Sequence, residues 1–285
     1  MKVLAIGEII FDIFGNDAAI GGAPLNFCAH CVACGAEAAL VSGVGNDEYG
    51  KAALEYLKSF GVESRFVCLN ELETGKCIVS VEKGNPSYNV LRPAAYDGVQ
   101  PDISAIRAYG AGVFSFGTLI QREEKSRNAV KNILENCSFN NIFCDINLRK
   151  DCYDSESCRL CLENATILKL SSEEEPLLAQ FGFYESAIDE KKLLGNIAKR
   201  FGNIRLILYT KGENGSVVYD AVNRKYECFS AVKTKVASTV GAGDSFSAAF
   251  LCEYFKSGDI RKAGIAGAEL SAFVVSKKEA IPNLK

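Results

Sequence analysis

Residues 238–247 read STVGAGDSFS and run into the apolar stretch AAFLCEYF. A Gly-Ala-Gly turn that opens a helix directs successive backbone N–H groups into one concavity at the positive end of the helix dipole, which holds anionic oxygens without a lysine. Gly241, Ala242 and Gly243 form that turn, and Asp244 stands beside it in the first helical turn. The same residues also read as a plain tight turn with an N-terminal cap. A second constellation, GGAPLN at 21–26, repeats the logic: Gly21 and Gly22 allow a hinge or close ligand approach, Pro24 suits a first helical turn, and Asn26 offers both a donor and an acceptor. Upstream, Asp12 interrupts the apolar run IIFDIF, an awkward place for a carboxylate unless it bonds a polyol or a neighbour; an exposed edge strand is the other reading.

Three further patterns carry less chemistry. Gly45-x4-Gly50-Lys51 nearly spells a phosphate-binding loop, but Ala52 replaces the hydroxyl that would ligate Mg²⁺, and Asp47 and Glu48 place negative charge where phosphates would sit. It reads as a strand-to-helix turn. The glycines at 43, 45 and 50 also miss the dinucleotide spacing, which argues against a nicotinamide enzyme. Cys28, Cys31 and Cys34 have thiolate-ligand spacing without a fourth ligand at cluster spacing, so small buried cysteines on an Ala-rich helix explain them; Cys158 and Cys161 read the same way. His30, the single histidine, has no evident base partner and reads as structural.

These residues need a scaffold, and the rest of the 285 residues describe one. Short runs rich in Val, Ile and Phe (KVLAIG, AALVSGVG, GVFSFG, NIFCDIN, TILKL, RLILYTKG) alternate with amphipathic stretches, which predicts a mostly parallel sheet with helices on both faces. Two helices are expected near 242–256 and 259–276. Residues 8–20 and 75–92 carry strand-like runs without an intervening helix and predict a small antiparallel piece projecting from the main sheet as a lid. The first fifteen residues read as a strand pair rather than a signal sequence. A composition 48% hydrophobic and 24% charged excludes disorder, and no run is long enough for a membrane span. The net charge of −3 leaves no basic field for nucleic acid, while twelve cysteines inside apolar periodic segments suggest reduced thiols in a cytoplasm.

With GGAPLNFCAHC early and TVGAGDSFSAAF late, the sequence resembles the ribokinase-like (PfkB-type) carbohydrate kinases over essentially its whole length. Within that family it is most similar to fructokinases, through GGAPLN, FSFGTLIQREEKSR, DINLR at 145–149 and KLSSEE at 169–174. The resemblance implies an α/β fold: one ribokinase-like domain over 1–285, a three-layer α/β/α sandwich with a small β-sheet lid from about 8–20 and 75–98. It implies ATP and Mg²⁺, and transfer of the γ-phosphate to a primary hydroxyl of a neutral hexose, fructose. Asp244 would then be the general base and Gly241, Ala242 and Gly243 the anion hole. Asp12, Gly22 and Asn26 would contact sugar hydroxyls, with Gly21-Gly22 as the lid hinge. Asn147 and Arg149 would lie on the substrate side, Arg149 reading also as a phosphate-side group or a plain surface arginine. Lys169, Thr210, Gly212 and Gly215 would serve the nucleotide, and Glu174 would reach Mg²⁺ through water or phosphate.

Departures from the family pattern are Ser238 in place of an aspartate, which leaves a monovalent cation open, Ser171 in place of an asparagine, and Glu279 where a Gly-Ala pair is usual. A homodimer packed lid on lid is expected, because an exposed sheet face needs cover. Kinases for 2-keto-3-deoxygluconate, ribose, a nucleoside or a sugar phosphate share these motifs, and a non-catalytic sugar-binding regulator is the reading from another class.

Overall fold

The computed structural model describes residues 1–82 and 85–283. The chain starts with β1 (Lys2–Ile6), leaves it for a hairpin of β2 (Ile10–Phe14) and β3 (Asp17–Gly21), and continues through α1 (Ala23–Ala33), β4 (Glu37–Gly45), α2 (Glu48–Ser59) and β5 (Val67–Asn70). A second hairpin, β6 (Gly75–Glu82) and β7 (Asn85–Val90), precedes α3 (Ile103–Tyr109), β8 (Val113–Gly117), α4 (Glu124–Asn136), β9 (Asn141–Asp145) and α5 (Ser155–Asn164). Then come β10 (Ile167–Ser171), α6 (Glu175–Ala179), α7 (Glu190–Arg200), β11 (Leu206–Thr210), β12 (Ser216–Asp220), β13 (Lys225–Phe229), α8 (Ala242–Ser257) and α9 (Ile260–Val275).

Nine strands form one sheet in the order β13-β12-β11-β10-β9-β8-β1-β4-β5, parallel from β11 to β5, with β12 and β13 turned back antiparallel at one edge. Alternate residues of each strand serve opposite faces, as the pleat requires. In β1, Leu4 and Ile6 pack into the core beneath α3–α7, while Val3 and Ala5 pack beneath α1, α2, α8 and α9. Both faces are thus covered, which is why the strands read as unbroken apolar runs. Phe114 and Phe143 are fully enclosed, one in each core, each contributing about 2–3 kcal/mol through removal from water.

The smaller sheet has the order β3-β2-β6-β7. Each hairpin is antiparallel, but β2 and β6, which join the hairpins, run parallel, so the expected all-antiparallel piece is mixed. Two more expectations are corrected here. β1 and β2 do not pair, since one belongs to each sheet. The second segment ends as strand at Val90, and Ala95–Gly98 form a buried 3₁₀ turn held by the Arg122–Asp97 ion pair. β2 is interior to its sheet, so the edge-strand reading of Asp12 fails as well. Gly45 to Lys51 is the strand-to-helix turn that was expected: Asp47 caps α2 by accepting the Gly50 N–H at 2.7 Å. Among the described residues, no helix is long and apolar enough to cross a membrane.

Candidate active site

Five helices start at a capping aspartate, namely Asp47, Asp102, Asp154, Asp189 and Asp259, whose side chains satisfy first-turn N–H groups. α1 and α8 start differently. Their caps are Gly22 (φ 118°) and Gly241 (φ 80°), conformations that strain any residue with a side chain, and neither makes a side-chain cap. In α8 the N–H groups of Gly243 and Asp244 meet no acceptor among the described residues, while Ala242 N–H donates to the Thr239 carbonyl at 3.3 Å. The Gly-Ala-Gly turn therefore presents donors, and only part of the nest is spent on the protein. Gly243 lies close to Lys169: a Cβ there would stand 3.2 Å from Lys169 Nζ.

Lys169, at 7% exposure, reaches the nest from β10 and donates to Asp145 Oδ1 at 2.8 Å. Burial alone would lower its pKa; the charges of Asp145 and Glu174 outweigh this and hold it above its ordinary value. Asp145 is pushed up to about 6 by burial, with Lys169 pulling the other way. The ammonium is thus kept charged against the place where the helix end offers free donors, an arrangement suited to phosphoryl oxygens.

Asp244 is pushed above the ordinary carboxylate range by burial, while a hydrogen bond from Asn26 and the charges of Lys169 and Arg149 pull it back. Asn26 Nδ2 donates to Asp244 Oδ2 at 2.9 Å, joining residues 218 apart in sequence and tying α1 to α8. Here the expectation changes: Asn26 first orients the carboxylate. Its own Oδ1, buried and without a partner, is the atom left to meet a ligand donor. Asp12 lies partly buried on β2, raised by burial and lowered by Arg149, and shares a hydrogen bond with the Cys77 thiol. Gly21 lies next to it, and a Cβ at Gly22 would stand 2.4 Å from the Glu8 carbonyl oxygen.

A pocket open to solvent lies at the carboxyl ends of β1, β8 and β9; Glu8, Pro24, Thr118, Asp145, Asn147 and Asp244 line it, whereas Asp12, Asn26, Lys169 and the Gly-Ala-Gly turn are not among its lining residues. Open α/β sheets place ligands at this end of their strands. The family described as pfkB family carbohydrate kinase matches residues 4–285. The chain belongs to the pfkB family of carbohydrate kinases. It is 24% identical to an ATP-dependent 6-phosphofructokinase of Thermoanaerobacterium thermosaccharolyticum, covering 99% of this chain and 90% of that one. It is also 24% identical to a probable fructokinase-5 of Arabidopsis thaliana, covering 99% and 94%. The crystal structure of fructokinase from Vibrio cholerae O395, in a form with fructose, ADP and calcium ion bound, superposes with a TM-score of 0.82 at 21% identity, covering 98% of this chain and 94% of that one.

Other expected site residues of this pfkB kinase fall around the pocket in different ways. Asn147 lines it with φ 40°, a left-handed conformation that Asn tolerates better than most residues. Arg149 is exposed and makes no ion pair among the described residues, yet its charge is felt by Glu8, Asp12 and Asp244. Glu174 is a clamp: Oε1 accepts from Leu148 N–H at 2.9 Å and Oε2 from Ser171 N–H at 2.8 Å, so it holds the loop carrying Asn147 and Arg149 to the end of β10. Thr210, Gly212 and Gly215 form the turn between β11 and β12 and border that clamp through the bond from Ser172 N–H to the Thr210 carbonyl at 2.9 Å. Among the described residues, no three acidic, cysteine or histidine side chains are arranged to hold a metal ion. Mg²⁺ commonly takes one or two carboxylates and completes its shell with phosphate and water, so Glu174 and Asp145 fit that sparser role.

His30 is fully buried, and its Nε2 lies 2.9 Å from the Ala280 carbonyl, whose oxygen also packs against Gly241; burial holds the ring below its ordinary pKa. Its role is structural, in support of the nest. All twelve cysteines are free. Ser238 turns its hydroxyl to the Val240 N–H at 3.2 Å. Two pocket carboxylates escaped the sequence reading. Asp145 stood within the quoted DINLR run, and Glu8, like Asp12, is a carboxylate inside an apolar stretch, which was the available signal.

Proposed function

We propose that this carbohydrate kinase transfers the γ-phosphate of ATP to a terminal primary hydroxyl of a neutral hexose, most readily fructose. The observation that carries the reading is the juxtaposition of an Asn26-oriented carboxylate at Asp244 with the free N–H groups of the Gly-Ala-Gly turn and the buried Lys169 ammonium. Asp244 accepts the hydroxyl proton as the sugar oxygen attacks phosphorus, and the nest and Lys169 meet the charge that spreads over the phosphoryl oxygens. Mg²⁺, when bound with the nucleotide, neutralises part of that charge, with Glu174 and Asp145 as the carboxylates on its side. Asp12 and the Asn26 Oδ1 bind neutral hydroxyls. Thr210, Gly212 and Gly215 border the nucleotide.

The smaller sheet acts as a lid, hinged at Gly21-Gly22, that keeps water from competing as nucleophile. Phe14, Ile78 and Tyr88 are exposed on it, which supports a homodimer covering the two lids. Of the basic residues in and just after the second hairpin, which could meet an anionic sugar, Lys76 is engaged by Glu73 at 2.8 Å, Arg92 lies near Glu123, and Lys83 is outside the described residues. That supports a neutral substrate.

The test measures ADP release with fructose, fructose 6-phosphate, 2-keto-3-deoxygluconate, ribose and a nucleoside at one Mg-ATP concentration. Fructose should give the highest kcat/KM, and a sugar phosphate or sugar acid ahead by tenfold would overturn the assignment. Sugar-induced thermal stabilisation without turnover would mark a binding protein instead. A monomeric mass by light scattering at micromolar concentration would sink the dimer.

A further inference from the structure

Glu8 follows β1 at the point where the chain leaves the large sheet for the small one. Two other passes of the chain, the start of α1 and the start of β6, crowd this point. A Cβ on Gly7 would strike Pro24 at 2.4 Å, one on Gly22 would strike the Glu8 carbonyl oxygen at 2.4 Å, and one on Gly75 would strike the Ile9 carbonyl oxygen at 2.5 Å. Backbone packing on all sides therefore dictates where the side chain goes. It goes inward: Glu8 is 5% exposed and lines the pocket beside Asp145, Asn147 and Asp244. Its Oε1 accepts the first N–H of α1, from Ala23, at 3.1 Å. The carboxylate also takes its own backbone N–H, and among the described residues no side-chain donor and no lysine or arginine ion pair meets it. A buried carboxylate held by so few donors has acceptor capacity to spare, and the donor that fits without carrying charge is a hydroxyl.

We infer that Glu8 is a specificity-determining residue of the acceptor pocket, whose carboxylate takes a hydroxyl of a neutral sugar and whose charge holds a sugar acid away. The inference rests on the kinase reading above. Four groups share its electrostatic surroundings. Arg149, after β9, favours the ionised form and Asp244, on α8, opposes it. The Tyr96 hydroxyl, fully buried and without a hydrogen-bond partner, feels the Glu8 charge from between β7 and α3. Asp12, on β2, is, like Asp244, a further carboxylate under the influence of Arg149. Burial outweighs the attractive contributions and lifts Glu8 to about 7. Its repulsion of an anion is therefore complete above that pH and fades below it.

The experiment measures the inhibition constant of 2-keto-3-deoxygluconate against the best neutral sugar, divided by the KM of that sugar, from pH 6 to 8.5. Asp145 and Asp244 line the same pocket and, raised by burial as well, repel an acid in the same sense, so the part due to Glu8 is read as the difference in slope between wild type and Glu8→Gln. If the ionised carboxylate disfavours the acid tenfold, the quotient falls about fivefold between pH 8 and pH 6, for a group titrating near 7. In Glu8→Gln, which keeps an oxygen for the Ala23 N–H but no charge, the quotient is lower at pH 8 and its slope loses the part due to Glu8, and KM for the neutral sugar rises at least fivefold while kcat changes less. A flat quotient in the wild-type protein, or an unchanged slope in Glu8→Gln, overturns the inference. A flat wild-type series overturns the inference even if Glu8→Gln does not fold. Failure to turn over any sugar overturns the kinase reading itself, an outcome distinct from turnover with a flat quotient.

Discussion

Replacing Asp244 by Asn removes a base while leaving its surroundings in place. The amide oxygen of Asn at 244 can still accept from Asn26 Nδ2, which now sits 2.9 Å from Oδ2, so the tie between α1 and α8 survives. The nest survives too, because its donors are backbone N–H groups. Lys169 keeps its charge, since Asp145 and Glu174, not Asp244, are the leading causes of its raised pKa. What is lost is the proton acceptor, and positioned bases contribute on the order of 10²–10⁴ in rate. That corresponds to about 2.7–5.4 kcal/mol of transition-state stabilisation, at about 1.36 kcal/mol per tenfold. The negative charge of Asp244 opposes phosphate binding, so KM for ATP should stay constant or fall. The assay is steady-state ADP release with fructose and Mg-ATP, accompanied by thermal melting to confirm the fold. Retention of more than a tenth of wild-type kcat would refute the assignment, as would a rise in both KM values matching the loss in kcat, which would indicate a collapsed site.

Glu8 also makes a prediction about stability. Its folded pKa, raised by burial from 4.5 to about 7, means that stability is fully present below 4.5 and is lost as pH rises through 7. Wild-type protein should therefore lose about 3 kcal/mol relative to Glu8→Gln between pH 4.5 and 8.5; urea midpoints that differ by the same amount at both pH values would contradict this. Gly22→Ala combines φ 118° with a 2.4 Å approach to the Glu8 carbonyl and should cost at least about 2 kcal/mol, read by urea unfolding; a loss under 0.5 kcal/mol would show that the hinge relaxes freely. Activity should depend weakly on potassium, because Ser238 supplies a short neutral hydroxyl already turned to Val240 N–H. The check compares potassium with tetramethylammonium at equal ionic strength, and a loss above tenfold would count against it.

The alternation of apolar runs and amphipathic stretches was enough to specify a mostly parallel sheet covered on both faces, because burial of both faces imposes an unbroken apolar pattern on each strand. Local chemistry was equally legible. Gly241 to Gly243 and Gly21-Gly22 announced helix starts that present backbone donors, since glycine alone enters those conformations without strain. The edge strands β12 and β13 and the parallel joint between β2 and β6 were not legible, because pairing direction depends on partners distant in sequence. The same limit held in the site. That Asn26 orients Asp244, that Asp145 holds Lys169 beside Gly243, and that Glu174 clamps Leu148 are contacts between separate elements. No spacing within a strand or helix encodes them. Glu8 shows the boundary most clearly: its place in an apolar run marked it as a carboxylate out of water, but only the packing of Gly7, Gly22 and Gly75 around it decided that it faces the pocket.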